Sequence, residues 1–253
     1  MTEQLIAIDA TNRIHALWHG TQGSGTVALF FRQLESMVNK LEPTWTVACF
    51  DQSSFRKKLD KGYKASRTPN PEIAAIIDEI KSELHQNWPD VPACELEGME
   101  ADDLLASFAA TALACGYQAI LLTGDKDCRQ CLRAGQVTIM KKLSIRGGEV
   151  EFEFETANDV LEIYGVAPES WQDYQALIGD AGDDIEGAVG IGPKTASELI
   201  RRIGSLDEII KQPSRCPISK RQIDSLVRFR SRVDVVKQLV TLRTDLDVSP
   251  WLN

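Results

Sequence analysis

The sequence predicts an α/β fold, a mainly parallel sheet with helices on both faces, followed by an all-helical subdomain. Three observations carry that prediction. Strand-length apolar runs alternate with helical patterns through about residue 140, the order expected of strand–helix–strand units. After Arg146-Gly147-Gly148, the expected tip of a hairpin, strand-like runs stop and helical patterns follow one another. Acids stand directly after several apolar runs (LIAID, TVACFD, AILLTGDKD, ALIGDAGD), and a parallel sheet carries its site at the carboxyl ends of its strands.

Residues 4–9 read as a buried strand, and 26–41 as an amphipathic helix with Val27, Phe30, Phe31, Leu34, Met37, Val38 and Leu41 on one face. A second strand is expected at 45–50. A polar, basic stretch follows and ends at Pro69-Asn70-Pro71, which starts a helix running to about His85. A short strand near 92–96 leads through Gly98 into a helix from about Glu100 to Cys115. Then come a strand at 118–123, a short helix near 127–133 and a strand at 136–140. Thr156 can cap a helix to Tyr164, and Pro168 begins another that reaches about Ile178. Short helices are expected at 193–203, 205–211, 219–229 and 231–243. The domain organisation expected is therefore 1–155 for the sheet and 156–253 for the helices.

Bulk properties narrow the function. No apolar run approaches the ~18–20 residues that span a bilayer, and MTEQLIAIDA has no basic region before its apolar stretch, so a soluble cytoplasmic protein is expected. Cys128 and Cys131 form a CxxC, but no second pair or nearby His completes a zinc site, so the six cysteines read as reduced thiols. His15 and His19 lie four apart with no third ligand beside them. The net charge of −9 (28 Lys and Arg against 37 Asp and Glu) at first opposes a nucleic-acid partner. Its distribution weakens the objection. Many acids fall in a few clusters, and basic residues concentrate at 56–67 (RKKLDKGYKASR) and from Lys194 through Arg243.

The acids are Asp9, Asp51, the run Glu100-Ala101-Asp102-Asp103, the pair Asp125 and Asp127, and the pair Asp180 and Asp183. Each group alone has an ordinary reading. Glu100 and Asp103 share a helix face and can cap its N-terminus, and Asp with Gly makes surface turns. Taken together, acids gathered by a parallel sheet would repel one another without cations. Mg²⁺ takes such oxygen ligands and leaves positions for substrate phosphate. Two ions ~4 Å apart can generate a hydroxide and stabilise a leaving oxygen.

Gly190-Ile191-Gly192-Pro193-Lys194 fits a helix–hairpin–helix turn. Its glycines allow close backbone approach, Pro193 suits a first helical turn, and the N–H groups face a phosphate. In the basic stretch, Lys57, Lys58, Lys61, Lys64 and Arg67 surround Tyr63, which can be read as a solvated loop or as a strand-gripping element with Tyr63 as a stacking face.

IAIDA, ACFDQ, FRKKLDKGYKASR, EGMEADDLLA, LLTGDKDCRQC, QALIGDAGDDIEG and AVGIGPKTA, in that order, resemble the 5′–3′ exonuclease/flap endonuclease family over residues 4–245. The resemblance implies a PIN-like sheet domain and a metal-dependent nuclease acting as a monomer on DNA with a 5′ flap, branch or nick. It implies Asp9, Asp51, Glu100, Asp102, Asp103 and Asp125 around a first Mg²⁺, and Asp125, Asp127, Asp180 and Asp183 around a second, with Mn²⁺ as a substitute. It further implies an arch at about 52–70, in which Tyr63, Lys64 and Arg67 bind DNA and Lys64 steers the scissile phosphate. Gly190, Ile191, Gly192, Pro193, Lys194 and Thr195 match the duplex-gripping turn. A K⁺ ion there would take the backbone carbonyls of Leu177, Ile178, Glu186, Ala188 and Ile191. Two departures stand out. Ala16 occupies the position of a usual arginine, with Arg13 one helical turn earlier, and WHGTQGSGT is shorter than usual. A PIN-type ribonuclease would lack the helical part from 156 onward, and a non-catalytic branched-DNA-binding protein would lack some of the acids.

Overall fold

The computed structural model describes residues 3–252. The chain folds as two compact units. One comprises the described residues up to 54, 68–156, and 242 onward; the other comprises 55–67 and 157–241.

The first unit is built on a six-stranded sheet of order β3-β2-β1-β4-β5-β6. Its strands are β1 (Gln4–Asp9), β2 (Trp45–Cys49), β3 (Ala93–Cys94), β4 (Gln118–Leu122), β5 (Val137–Arg146) and β6 (Glu149–Glu155). All neighbours run parallel except β5 and β6, which form an antiparallel hairpin around Gly147-Gly148. Helices α1 (Ala10–Thr21), α2 (Thr26–Leu41) and α4 (Pro71–Asn87) cover one face, while α5 (Ala101–Cys115) packs on β1 and β4. Strand side chains alternate. Ile6, Ile8, Ile120 and Leu122 therefore share a core with Ile14, Phe30, Leu34, Met37, Ile80 and Leu84. The buried Leu5, Ala7, Ala119 and Leu121 point the other way, toward α5. The strands are buried on both faces, which is why they read as unbroken apolar runs.

Local signals set the helix starts. Asn70 accepts a hydrogen bond from the Glu72 N–H and Pro71 occupies the first turn of α4. Asp9 ends β1 and caps α1 by accepting from the Asn12 N–H. The final segment returns to this unit. The Leu242 N–H donates to Gln130 Oε1 (3.1 Å), the Arg243 N–H to Asp103 Oδ1 (3.0 Å), and the Leu246 N–H to Ser107 Oγ (3.3 Å).

The second unit carries α3 (Arg56–Leu59), α6 (Ala157–Tyr164), α7 (Trp171–Ile178), α8 (Pro193–Ile203), α9 (Leu206–Lys211), α10 (Lys220–Phe229) and α11 (Val233–Val240). Arg56 is only 2% exposed, and its guanidinium donates to the carbonyls of Leu239 (2.8 Å) and Thr241 (2.9 Å). That anchors the start of the 55–67 segment within the unit.

Strands do not end at residue 148, contrary to the sequence expectation. Besides β6, the second unit contains a two-residue antiparallel ladder, β7 (Gly179–Asp180) with β8 (Ile185–Glu186). Such short pairings leave no periodicity to read.

Candidate metal centre

Parallel register brings the ends of β1, β2 and β4 side by side: Asp9 is level with Cys49, and Ile8 with Leu122. Thr123 links the acid that ends β1 to the acid that follows β4. Thr123 Oγ1 donates to Asp9 Oδ2 (2.9 Å) and accepts from the Asp125 N–H (3.0 Å). Asp125 Oδ1 accepts from the Asp127 N–H (2.9 Å). The Asp51 N–H donates to Thr11 Oγ1 (3.0 Å), and Asp51 Oδ1 accepts from the Ala101 N–H at the start of α5 (2.7 Å). Sequence reasoning misses Thr123, although its place before Gly124-Asp125 is the available signal.

The electrostatics follow from this crowding. Burial first, and then the charge of Asp51, push the Asp9 carboxyl up to about 7. Burial and then Asp125, Asp9, Asp51 and Asp127 hold Asp102 well above the usual carboxylate range. These acids cannot all ionise unaided. A set of oxygen donors whose ionisation is held back by burial and by one another suits hard divalent cations.

Two members of the EADD run also shape the start of α5, as the capping reading of the sequence expects. Glu100 and Asp103 form a capping box at the start of α5. The Ser54 hydroxyl donates to Glu100 Oε2 (2.8 Å). Asp103 is fully buried and accepts backbone N–H groups on both oxygens, from Glu100 and from Arg243. Asp102 feels the charges of Asp125, Asp9, Asp51 and Asp127. Arg13, one helical turn before Ala16, is engaged within the fold. It donates to Gln33 Oε1 and to the Leu143 carbonyl, inside the contact of α1, α2 and β5.

Within the second unit, Asp180 ends β7 and Asp183 lies on the turn to β8, both buried. Asp180 Oδ1 accepts from the Gly182 N–H (3.0 Å). Asp183 receives the Tyr63 hydroxyl (3.3 Å), the Lys64 ammonium (3.6 Å) and the Arg67 guanidinium. Tyr63 is 4% exposed, with the Lys64 ammonium 5.0 Å above its ring. Lys64 and Arg67 converge without a helix, because Lys64 adopts φ +50° in a turn.

The GIGPK turn has Gly190 at φ +80° and Gly192 at the start of α8, with no side chain capping the helix amides. Such amides are ready for an anion. Ile191 is buried beneath the turn, while Gly190, Gly192, Pro193 and Lys194 are exposed and Thr195 is half-buried. Gln222 Nε2 on α10 donates to the Gly190 carbonyl (3.0 Å) and braces the turn. Ile178, Glu186, Ala188 and Ile191 line one concavity with Gly190 and Gly192; the Leu177 carbonyl accepts from the Ala188 N–H (2.8 Å).

A pH dependence follows from Asp9. Its folded carboxyl titrates near 7 against an ordinary 3.8. The ionised form is therefore disfavoured by folding, and stability is lost as pH rises from about 4 through 7. Thermal midpoints measured in EDTA should fall between pH 5 and pH 8, and Asp9→Asn should remove much of that fall. A flat profile for the parent protein would remove the electrostatic argument.

The description "5′–3′ exonuclease, N-terminal resolvase-like domain" matches residues 4–165, and "5′–3′ exonuclease, C-terminal SAM fold" matches 166–252. A flap endonuclease Xni of Pectobacterium carotovorum subsp. carotovorum is 33% identical over 258 residues, covering 98% of this chain and 93% of that one. DNA polymerase I of Bacillus caldotenax is 31% identical over all of this chain, which spans 29% of that protein. Among solved structures, T5 5′-exonuclease with bound zinc ions has a TM-score of 0.79 at 22% identity, covering 96% of this chain and 90% of that one. That likeness is one of fold.

Proposed function

The chain belongs to the 5′–3′ exonuclease family, and from that membership we propose a structure-selective DNA nuclease that hydrolyses phosphodiesters at or near 5′ flaps and 5′ ends. The observation that carries the reading is the set of acids on the adjoining ends of β1, β2 and β4, with Asp9 pushed up to about 7. Asp9, Asp51, Glu100, Asp102, Asp103, Asp125 and Asp127 are the proposed donors for Mg²⁺, for which Mn²⁺ would substitute; Glu100 and Asp103 also cap the first turn of α5. Asp180 and Asp183 are proposed as further ligands on the strength of the family pattern GDAGD alone. When bound, divalent cations supply activation of the attacking water and neutralise charge on the leaving oxygen.

The chain's own groups do the rest. Thr123 holds Asp9 and Asp125 in register by its two hydrogen bonds. Lys64 and Arg67 bring positive charge to the scissile phosphate, where charge develops in the transition state. The amides at the start of α8 and Lys194 hold duplex phosphates and read no bases. The concavity at Ile178, Glu186, Ala188 and Ile191 is the proposed seat of K⁺. No helix among the described residues is long and apolar enough to cross a membrane. A monomer acting in the cytoplasm completes the proposal.

A 5′-flap DNA, a nicked duplex and single-stranded RNA, each incubated with Mg²⁺ and with EDTA, test the reading together. Cleavage of the flap in Mg²⁺ alone is expected; RNA cleavage with intact flap would overturn it.

Lys194→Ala and Lys64→Ala should separate binding from turnover. Lys194→Ala is expected to weaken binding about equally on two unrelated flap sequences, and to reduce the slope of log affinity against log salt by roughly one unit. Single-turnover rates at saturating enzyme should change much less, because the contact serves ground and transition states alike. Lys64→Ala should lower the rate more than the affinity. Anisotropy titrations at several salt concentrations read the difference, and an unchanged slope would reduce the turn to a structural one.

A further inference from the structure

We propose that Asp184 is a positioning residue whose carboxylate latches the 62–67 segment, so that Lys64 and Arg67 are held ready for the scissile phosphate. The proposal rests on the reading of Lys64 given above. The segment is seated on the turn 182–184 by two kinds of contact. One kind uses the Asp183 carboxylate, which takes the Tyr63 hydroxyl, the Lys64 ammonium and the Arg67 guanidinium. The other kind does not involve those oxygens. The Ser66 N–H (2.9 Å) and hydroxyl (2.7 Å) both donate to Asp184 Oδ2, and the Lys64 N–H donates to the Asp183 carbonyl (2.9 Å).

The distinction matters because Asp183 is a proposed ligand. If its oxygens took a divalent cation, Lys64, Arg67 and Tyr63 would lose them. The contacts through Asp184 and the Asp183 carbonyl use other atoms, so they would keep the segment seated and leave the two cationic heads available to phosphate. Backbone geometry marks both ends of the latch. Lys64 lies at φ +50° and Asp184 at φ +58°, a region that Asp and Asn enter more readily than other residues with side chains.

Asp184→Gly removes the acceptor without penalising the positive φ, and Asp184→Asn keeps both the acceptor oxygen and the backbone preference. Three quantities read the effect: single-turnover cleavage of a 5′-flap DNA, its Kd by anisotropy in Ca²⁺, and amide hydrogen exchange of 62–67 in the metal-free protein. Asp184→Gly is expected to cleave roughly tenfold more slowly with Kd within about twofold, a loss of positioning and not of grip. Exchange at 62–67 should rise. Asp184→Asn should behave like the parent, and Asp184→Gly in a Lys64→Ala background should be no slower than Lys64→Ala alone. A parental rate for Asp184→Gly, a loss fully additive with Lys64→Ala, or an equal loss in Asp184→Asn would each overturn the proposal. Lys64→Ala at full rate would remove its premise, whereas a slow Lys64→Ala beside a fast Asp184→Gly removes the latch alone. If Asp184→Gly does not fold, Ser66→Ala carries the same test by deleting one donor, with a smaller loss again absorbed by Lys64→Ala.

Discussion

Asp125→Asn is expected to abolish cleavage while leaving DNA binding in Ca²⁺ within a few-fold of the parent. The change is nearly isosteric. It leaves in place the backbone N–H that Thr123 receives, and the side-chain amide still offers an oxygen to the Asp127 N–H, so the turn should hold its shape. What it removes is one negative charge from the group Asp9, Asp51, Asp102, Asp125 and Asp127. Losing one element of an electrostatic site of this kind costs on the order of 10²–10³ in rate. Affinity for the polyanion should not suffer, since less negative charge stands in its way. Retained Mg²⁺-dependent cleavage above a tenth of the parental rate would sink the assignment of Asp125.

The second large effect is structural. Gly187 lies where the backbone of α7 and the β7–β8 ladder come closest. A Cβ there would fall inside contact distance of Gly179 N, Leu177 O and the Ile178 carbonyl carbon, all of them backbone atoms. No rotamer change relieves such a clash, so Gly187→Ala must open the ladder that carries Asp180 on one strand and leads to Asp183 and Asp184. A destabilisation of about 3 kcal/mol is expected. Gly192→Ala is the control, because a Cβ there meets nothing within 4 Å, and its cost should stay within about 1 kcal/mol. Urea unfolding of the two variants reads the contrast. Equal stabilities would mean that the close approach at Gly187 is not what fixes the turn.

The sheet is legible in the sequence because β1, β2 and β4 are buried on both faces and end in acids, a pattern that survives without knowledge of partners. Helix α1 is not foreseen as an element; its capping residue, Asp9, also belongs to the acid set, and its run ATNRIHALWHGT has few apolar residues. The EADD run is ambiguous for a physical reason. A helix N-terminus and a cation both attract carboxylates, and the sequence alone does not show that Glu100 and Asp103 form the capping box of α5. The fate of Arg13 depends on Gln33 and Leu143, which lie 20 and 130 residues away in sequence. Tyr63 reads as a stacking face among cations, and its burial against Asp183 has no trace in local composition. Asp184 looks like a turn residue, and its bond partner Ser66 is 118 positions distant.

The central claim is that the acids at the ends of β1, β2 and β4 form a divalent-cation site in which Asp9 gives up its proton when the cation arrives. Calorimetric titration of Mg²⁺ into metal-free protein at about pH 6.5, repeated in two buffers of different ionisation enthalpy, tests it most directly. With Asp9 titrating at about 7, saturable binding should release roughly half a proton or more, and Asp9→Asn should both weaken binding and reduce that release. Absence of saturable binding, or binding that releases no protons and is unchanged in Asp9→Asn, would contradict the account.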